Sequence, residues 1–216
     1  TIINIPEGVT SIGDQTFEGC YSLTSINIPS SVTNIDFWAF YDCLNLTSIT
    51  IPSSVISIGS GTFENCLSLT SIKIPSSVTS IGDGAFSGCD SLQEINVDED
   101  NNNYSSLDGV LFNKTKTELM KYPDNKVGTE YAIPSSVTDI GDGAFENCAS
   151  LTSITIPSSV TSIGSKGFKG CDSLTSINIP SNVTSIGNGA FGYCDSLQEI
   201  NVDEDNNNYS SLDGVL

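Results

Sequence analysis

Seven cysteines carry the most versatile chemistry in this 216-residue sequence. Thiolates attack electrophiles, exchange disulfides and bind soft metals. The seven are Cys20, Cys43, Cys66, Cys89, Cys148, Cys171 and Cys194, which recur with a constant step (43 − 20 = 23) broken once, between Cys89 and Cys148. That spacing disfavours a metal centre, because zinc sites gather ligands in local pairs, and the chain contains no histidine. It also disfavours a disulfide framework, since every Cys holds the same slot and the number is odd. Evenly stepped cysteines are expected to be free, buried thiols in a ladder along one edge, where Cys behaves as a small hydrophobe.

Carboxylates are the other abundant reactive group, with 26 acidic residues against seven lysines and no arginine. The acidic loops Asp98–Asn103 and Asp203–Asn208 offer oxygen ligands to Ca²⁺. They lack the ligand spacing and central Gly of an EF-hand, and the G-G-x-G-x-D calcium repeat is absent as well. They are read as solvated turns, and no metal or cofactor is assigned. An enzyme needs a nucleophile, a base or a metal in mutual reach. The sequence offers none, and recurrent acids such as Asp83 and Asp142 follow the structural period. The chain is therefore expected to be non-catalytic.

A net charge of −19 disfavours other classes of partner. Nucleic-acid binding relies on cations that displace counterions, and anionic lipid repels such a surface. No apolar run approaches the roughly 20 residues that cross a bilayer, so membrane insertion by this stretch is not expected. Thr1–Pro6 reads as a repeat caught in mid-strand, so the chain is expected to be a piece of something longer. Five N-x-S/T sequons, at Asn45, Asn103, Asn113, Asn182 and Asn208, carry no information without knowing the source.

The elements that position these residues are set by the same period. Pro6, Pro29, Pro52, Pro75, Pro134, Pro157 and Pro180 each precede a Cys by one fixed offset (20 − 6 = 14), and Phe17, Phe40, Phe63, Phe86, Phe145, Phe168 and Phe191 keep the phase. A fixed period of this size signals stacked supersecondary units. In Leu46–Gly59, Ile49 and Ile51 alternate with Ser48 and Thr50, the pattern of a half-buried strand. Pro52 ends the strand, having no N–H for the ladder. Val55 and Ile58 line the return path, and Gly59 suggests a turn with positive φ.

The sequence is thus read as one repeat solenoid over residues 1–216. It is mostly β, with a parallel sheet of about nine short strands, turns or short helical pieces on the return path, and one inserted β-hairpin. The open face of the strands is polar: Ser25, Asn27, Ser48, Thr50, Ser71, Ser153, Thr155, Ser176 and Asn178, interrupted by Lys73, Glu94 and Glu199. An irregular repeat spans residues 98–130. In it, two apolar runs, Gly109–Asn113 and Thr117–Pro123, flank the polar Lys114-Thr115-Lys116, which predicts a β-hairpin. Residues 84–111 and 189–216 differ only at Ser87/Gly192 and Gly88/Tyr193, so 203–216 is a truncated second copy of that irregular unit. Leu212–Leu216 is expected to be poorly ordered or held only by the last repeat.

One unit breaks the pattern with aromatic residues. Phe37 stands where other units have Asp14, Ser60, Asp83 or Asn188, and Trp38 where they have Gln15, Gly61, Gly84 or Gly189. Tyr41 aligns with Glu18, Glu64 and Glu146. Those slots read as exposed. Two readings stay open: a partner-contact patch, since Trp and Tyr dominate binding hot spots, or a local repacking of one divergent unit.

The recurrent L-T-S-I-x-I-P-S-S-V-T-S-I-G-x-x-A-F-x-x-C, at Leu69–Cys89 and with small changes at Leu151–Cys171, resembles the BspA-like leucine-rich repeats. Tyr104–Asn113 resembles that family's interspersed hairpin. The likeness covers essentially the whole chain, with a departure at residues 35–41, where Asp36 replaces the usual Gly. It implies a surface or secreted protein of host-associated bacteria or parasitic protists. It further implies adhesion, often to a host matrix protein or another cell's surface protein, and brings no catalytic residues; the polar strand face leaves open a glycan partner or an ordinary solvated face. The alternative is a passive spacer that projects other domains. Nothing in the sequence sets an oligomeric state.

Overall fold

The computed structural model of the chain describes residues 1–212 and Gly214. It divides into two compact units, Thr1–Lys114 and Thr115–Leu216. The dividing point falls in the polar turn of the irregular repeat.

In the first unit, strands Ile2–Asn4, Ser25–Asn27 and Ser48–Ile49 pair in parallel, and Ser71–Ile74 pairs with Glu94–Val97. Each residue pairs with its counterpart one repeat along, as in Ile3↔Ile26 and Ile72↔Ile95. Alternation then fixes the faces: Ile26, Ile49, Ile72 and Ile95 are buried, whereas Asn27, Ser48, Thr50 and Ser71 are exposed. The Pro column follows. Pro52 leaves the strand and its carbonyl accepts the N–H of Val55 at 3.1 Å, closing a turn that the fixed proline φ favours.

The return path differs from expectation. It holds a second parallel ladder, Ser11–Ile12, Asn34–Ile35, Ser57–Ile58 and Ser80–Ile81, again in one-repeat register. No helix occurs among the described residues. The helical pieces allowed for in the sequence do not form, because each return carries two left-handed residues four apart, at 15 and 19, 38 and 42, 61 and 65, and 84 and 88. A left-handed residue interrupts a right-handed helix. Gly59 also has a different role from the one expected. Its φ is not positive; the left-handed residue is Gly61, with φ 60°. Gly59 is small because the preceding coil passes close by: a Cβ there would lie 2.6 Å from the backbone of Asp36 and Phe37.

Between the two ladders, side chains stack in columns. Leu23, Leu46, Leu69 and Leu92 are buried in one, and Val32, Val55 and Val78 in another. Phe17, Phe40, Phe63 and Phe86 form a continuous stack with centroid separations of 5.3, 5.6 and 5.9 Å.

The irregular repeat contributes the antiparallel hairpin Tyr104–Leu107/Val110–Asn113, as the family likeness implied. Its two-residue tip, Asp108 and Gly109, has positive φ at both positions (51° and 77°), the geometry that suits a tight hairpin. Both apolar runs flanking residues 114–116 are strands, Val110–Asn113 and Glu118–Lys121.

The second unit repeats the plan. Glu130–Ala132 pairs with Ser153–Thr155, and Ser176–Ile179 with Glu199–Val202. The second ladder runs Glu118–Lys121, Asp139–Ile140, Ser162–Ile163 and Ser185–Ile186. Tyr122 takes the Phe position and stacks on Phe145 at 5.3 Å; Phe168 and Phe191 continue the row. Beside Tyr122, the buried Lys121 ammonium pairs with the buried Asp124 carboxylate at 2.6 Å.

Of the chain's end, Leu212 is exposed, and the Gly214 carbonyl accepts the N–H of Ile200 at 2.8 Å. The rest of the order expected for Leu212–Leu216 concerns Asp213, Val215 and Leu216, which lie outside the described residues.

Candidate functional site

The aromatic break lies on the turn after the second-ladder strand Asn34–Ile35. Phe37 is 41% exposed, while Trp38 and Tyr41 are half-buried. The Phe37 ring stacks on the Trp38 indole at 4.3 Å, and Tyr41 leans on the same indole at 5.1 Å. Trp38 has φ 54°, in a slot that Gly61 and Gly84 fill in the next two units. For a residue with a Cβ that conformation costs roughly 1–2 kcal/mol. The next unit makes room: a Cβ on Gly61 would come within 2.2 Å of Trp38 Cδ1. The indole N–H donates to Glu64 at 3.2 Å. The three rings therefore come together as one row. Phe37 is its exposed member and Trp38 its packed centre.

Carboxylates surround the row, each oriented by a neutral donor. Asp14 accepts the Phe37 N–H at 3.1 Å, and Glu18 accepts the Gln15 amide at 2.6 Å. Asp42 accepts the Asn65 amide at 2.8 Å. Together Asp42, Glu64 and Glu18 raise the Tyr41 phenol above its ordinary pKa, Asp42 most of all.

None of the seven cysteines forms a disulfide. Five are buried, and Cys20 and Cys194 are half-buried. Each thiol from Cys43 onward points at the backbone carbonyl of the aromatic residue one repeat and three positions earlier, for example Cys66 to Phe40 at 3.3 Å and Cys89 to Phe63 at 3.1 Å. The column thus contributes weak S–H···O bonds between units as well as packing. Burial pushes the Cys43 thiol up to about 12, and pushes Cys66 and Cys148 higher still. Cys194 goes the other way, to about 7, through its hydrogen bond with Cys171. The thiolate is the nucleophile. In the native protein at pH 8, a soluble maleimide should therefore label Cys194 first and spare Cys66 and Cys148. Peptide mapping by mass spectrometry after timed quenching checks the order, and early labelling of Cys66 would contradict it.

The acidic loop Asp98–Asn103 is only partly the solvated turn expected. Glu99, Asp100, Asn102 and Asn103 are exposed, but Asn101 is fully buried. It occupies the column position that Val78 holds one repeat earlier. Its amide donates to the carbonyls of Pro75 (2.8 Å) and Val78 (3.0 Å), and its oxygen accepts the N–H groups of Asn103 and Tyr104, both at 2.8 Å. Asn206 makes the equivalent four bonds in the second unit. Asn101→Ala strands buried donors and acceptors and should cost about 2–3 kcal/mol, against less than about 0.5 kcal/mol for exposed Asn102→Ala. Urea midpoints of the two variants give the comparison. Among the described residues, no three of the Cys, Asp or Glu side chains group closely enough to hold a metal ion.

Residues 1–119 and 124–212 match the BspA type leucine-rich repeat region, in six copies. The chain belongs to the BspA-type leucine-rich repeat family. Solved structures agree with this. A leucine-rich repeat protein from Eubacterium ventriosum is 36% identical over 93% of the chain, with a TM-score of 0.83. A leucine rich cell surface protein from Faecalibacterium prausnitzii is 33% identical over 91% of the chain, with a TM-score of 0.62. The pneumococcal vaccine antigen PcpA, 22% identical over 95% of the chain with a TM-score of 0.63, shares the fold. The chain spans 59% and 64% of the first two proteins' lengths, 72% of the third's. Comparison with curated proteins gave no match. BspA-type repeats form an interaction-module family that is typically non-catalytic, and no helix of the described residues is long and apolar enough to cross a membrane.

Proposed function

We propose that this chain is a non-catalytic adhesion module of a secreted or cell-surface protein, engaging a host matrix protein, a cell-surface protein or a glycan. The observation that carries the reading is the row Phe37, Trp38 and Tyr41, three rings stacked together among carboxylates. Exposed aromatic patches of this kind mark contact sites. Five of the thiols are buried in their column, and Asn101 is held in its own by four hydrogen bonds. The cell-surface description of the Faecalibacterium prausnitzii neighbour supports the location.

A second reading is a passive spacer. It is favoured by the packing of Trp38, whose indole rests on Gly61 and whose N–H is satisfied by Glu64. A panel of immobilised matrix proteins and glycans separates the two. Adhesion requires saturable binding to at least one of them, weakened by Phe37→Ala, a substitution that leaves the indole's own packing site in place. Absence of saturable binding across the panel supports the spacer.

A further inference from the structure

We infer that the aromatic row of the first unit is a receptor for a cationic side chain, and that its partner is a protein segment rich in arginine or lysine. The inference rests on the adhesion reading and narrows it to one chemistry.

Charge is the first ground. No lysine or arginine precedes Lys73, whereas Glu7, Asp14, Glu18, Asp36, Asp42 and Glu64 all lie before it. The four carboxylates nearest the rings are oriented by neutral donors: a backbone N–H, two amides and an indole. Their negative charge is fixed in place and is not neutralised by any side chain of this stretch. Fixed like charges around an apolar patch make the approach of a cation favourable and that of an anion costly.

The second ground is an internal template. Lys169 occupies the column that holds Glu18, Tyr41 and Glu64 in the first unit and Glu146 in the second. Its ammonium bonds Glu146 at 2.9 Å and lies 5.6 Å from the centre of the exposed Tyr193 ring. A carboxylate and a ring, one repeat to either side, thus clasp one cation. In the first unit the lysine's own column carries carboxylate, ring and carboxylate, at Glu18, Tyr41 and Glu64, with Phe37 and Trp38 alongside, while Asp42 stands in the column of Tyr193. The first unit thus sets rings beside carboxylates as the second does, in other columns and with no lysine among them. A planar guanidinium suits it well, since Arg both stacks on rings and bonds carboxylates.

Trp38 is the only tryptophan in the sequence, so its emission reports directly on the patch. Titrating the full chain with an oligo-arginine peptide should change that emission saturably, and an oligo-glutamate peptide should not. Affinity should fall steeply with added salt, as screened charges do. Phe37→Ala, and separately the double variant Glu18→Gln/Glu64→Gln, should each weaken binding by about tenfold, which corresponds to about 1.4 kcal/mol. Lys169→Ala, in the second unit, should leave it unchanged. Far-UV circular dichroism confirms that each variant is folded. The inference is overturned by an unresponsive Trp38 signal, by equal affinity in the patch variants, or by binding to choline-lipid vesicles but not to the peptide. Saturable, salt-insensitive binding of a matrix protein that ignores Glu18→Gln/Glu64→Gln would overturn it while leaving the adhesion reading intact. Peptide binding with an inert matrix panel would do the reverse.

Discussion

Phe63→Ala is expected to lower stability by about 3–5 kcal/mol, the usual cost of emptying a buried phenylalanine site. Phe63 has no exposed surface and lies between Phe40 and Phe86, 5.6 and 5.9 Å away. In a repeat array stability comes from each unit's contact with its neighbours. The substitution therefore weakens two interfaces at once, a loss comparable with the whole margin of an ordinary domain. Hydrogen exchange should show protection lost around residues 40–86 and kept in the second unit. A chemical-denaturation midpoint no lower than that of Phe37→Ala, whose ring is largely surface, would contradict the ladder as the source of stability.

The second large effect is alkaline unfolding. Free thiols in the unfolded chain ionise near pH 9, whereas burial holds Cys43, Cys66 and Cys148 protonated to higher pH, and at Cys171 the hydrogen bond with Cys194, with burial adding to it, does the same. Their folded values are raised, so their contribution is fully present below about pH 9 and is lost as pH climbs toward those values. Each such group costs about 1.4 kcal/mol per pH unit in that window, and four together about 5 kcal/mol per unit. Tyr122, pushed up to about 12 by burial, adds the same sign above pH 10. Cys194, lowered to about 7, contributes in the opposite sense between pH 7 and 9, so stability should peak near pH 9 and then drop steeply. Urea unfolding in a strong reductant, at steps from pH 7 to 11, checks this. The double variant Cys66→Ala/Cys148→Ala should begin less stable yet show about half the alkaline slope. An unchanged slope would mean that the thiols do not control the decline.

The repeat columns were legible because one period governs them: Pro, Phe and Cys recur once per repeat, and the structure keeps that register in every parallel pairing of the regular units. The second ladder was not legible. Its strands, such as Ser57–Ile58, are too short to offer any alternation to read. The left-handed slots were hidden for another reason. Gln15, Trp38, Gly61 and Gly84 fill one of them, and Gln and Trp sharing one slot with Gly reveal no common backbone. Asn101 looked like part of a polar turn, although its alignment with Val78 could have identified it as buried. At the aromatic break, the sequence located Phe37, Trp38 and Tyr41 as an interruption. It held no hint that Gly61 seats the indole, or that Glu64 lies close enough to receive its N–H, because both come from the neighbouring repeat.

The bonds that join one regular turn to the next link a residue to its counterpart one repeat along, or close to it. Register is therefore a local agreement between adjacent turns. In a sheet built from distant segments, one inserted residue would turn a strand's buried face outward. Here an extra loop disturbs a single joint, and the columns on either side keep their own count. The irregular unit is such a case: the step from Ile95 to Tyr131 (131 − 95 = 36) far exceeds the usual one (95 − 72 = 23), yet the strands of each unit remain in step. A chain with this grammar can lengthen, duplicate a stretch such as 84–111, or rewrite one rung without renegotiating the rest. Novelty at its surface then needs only one turn to change.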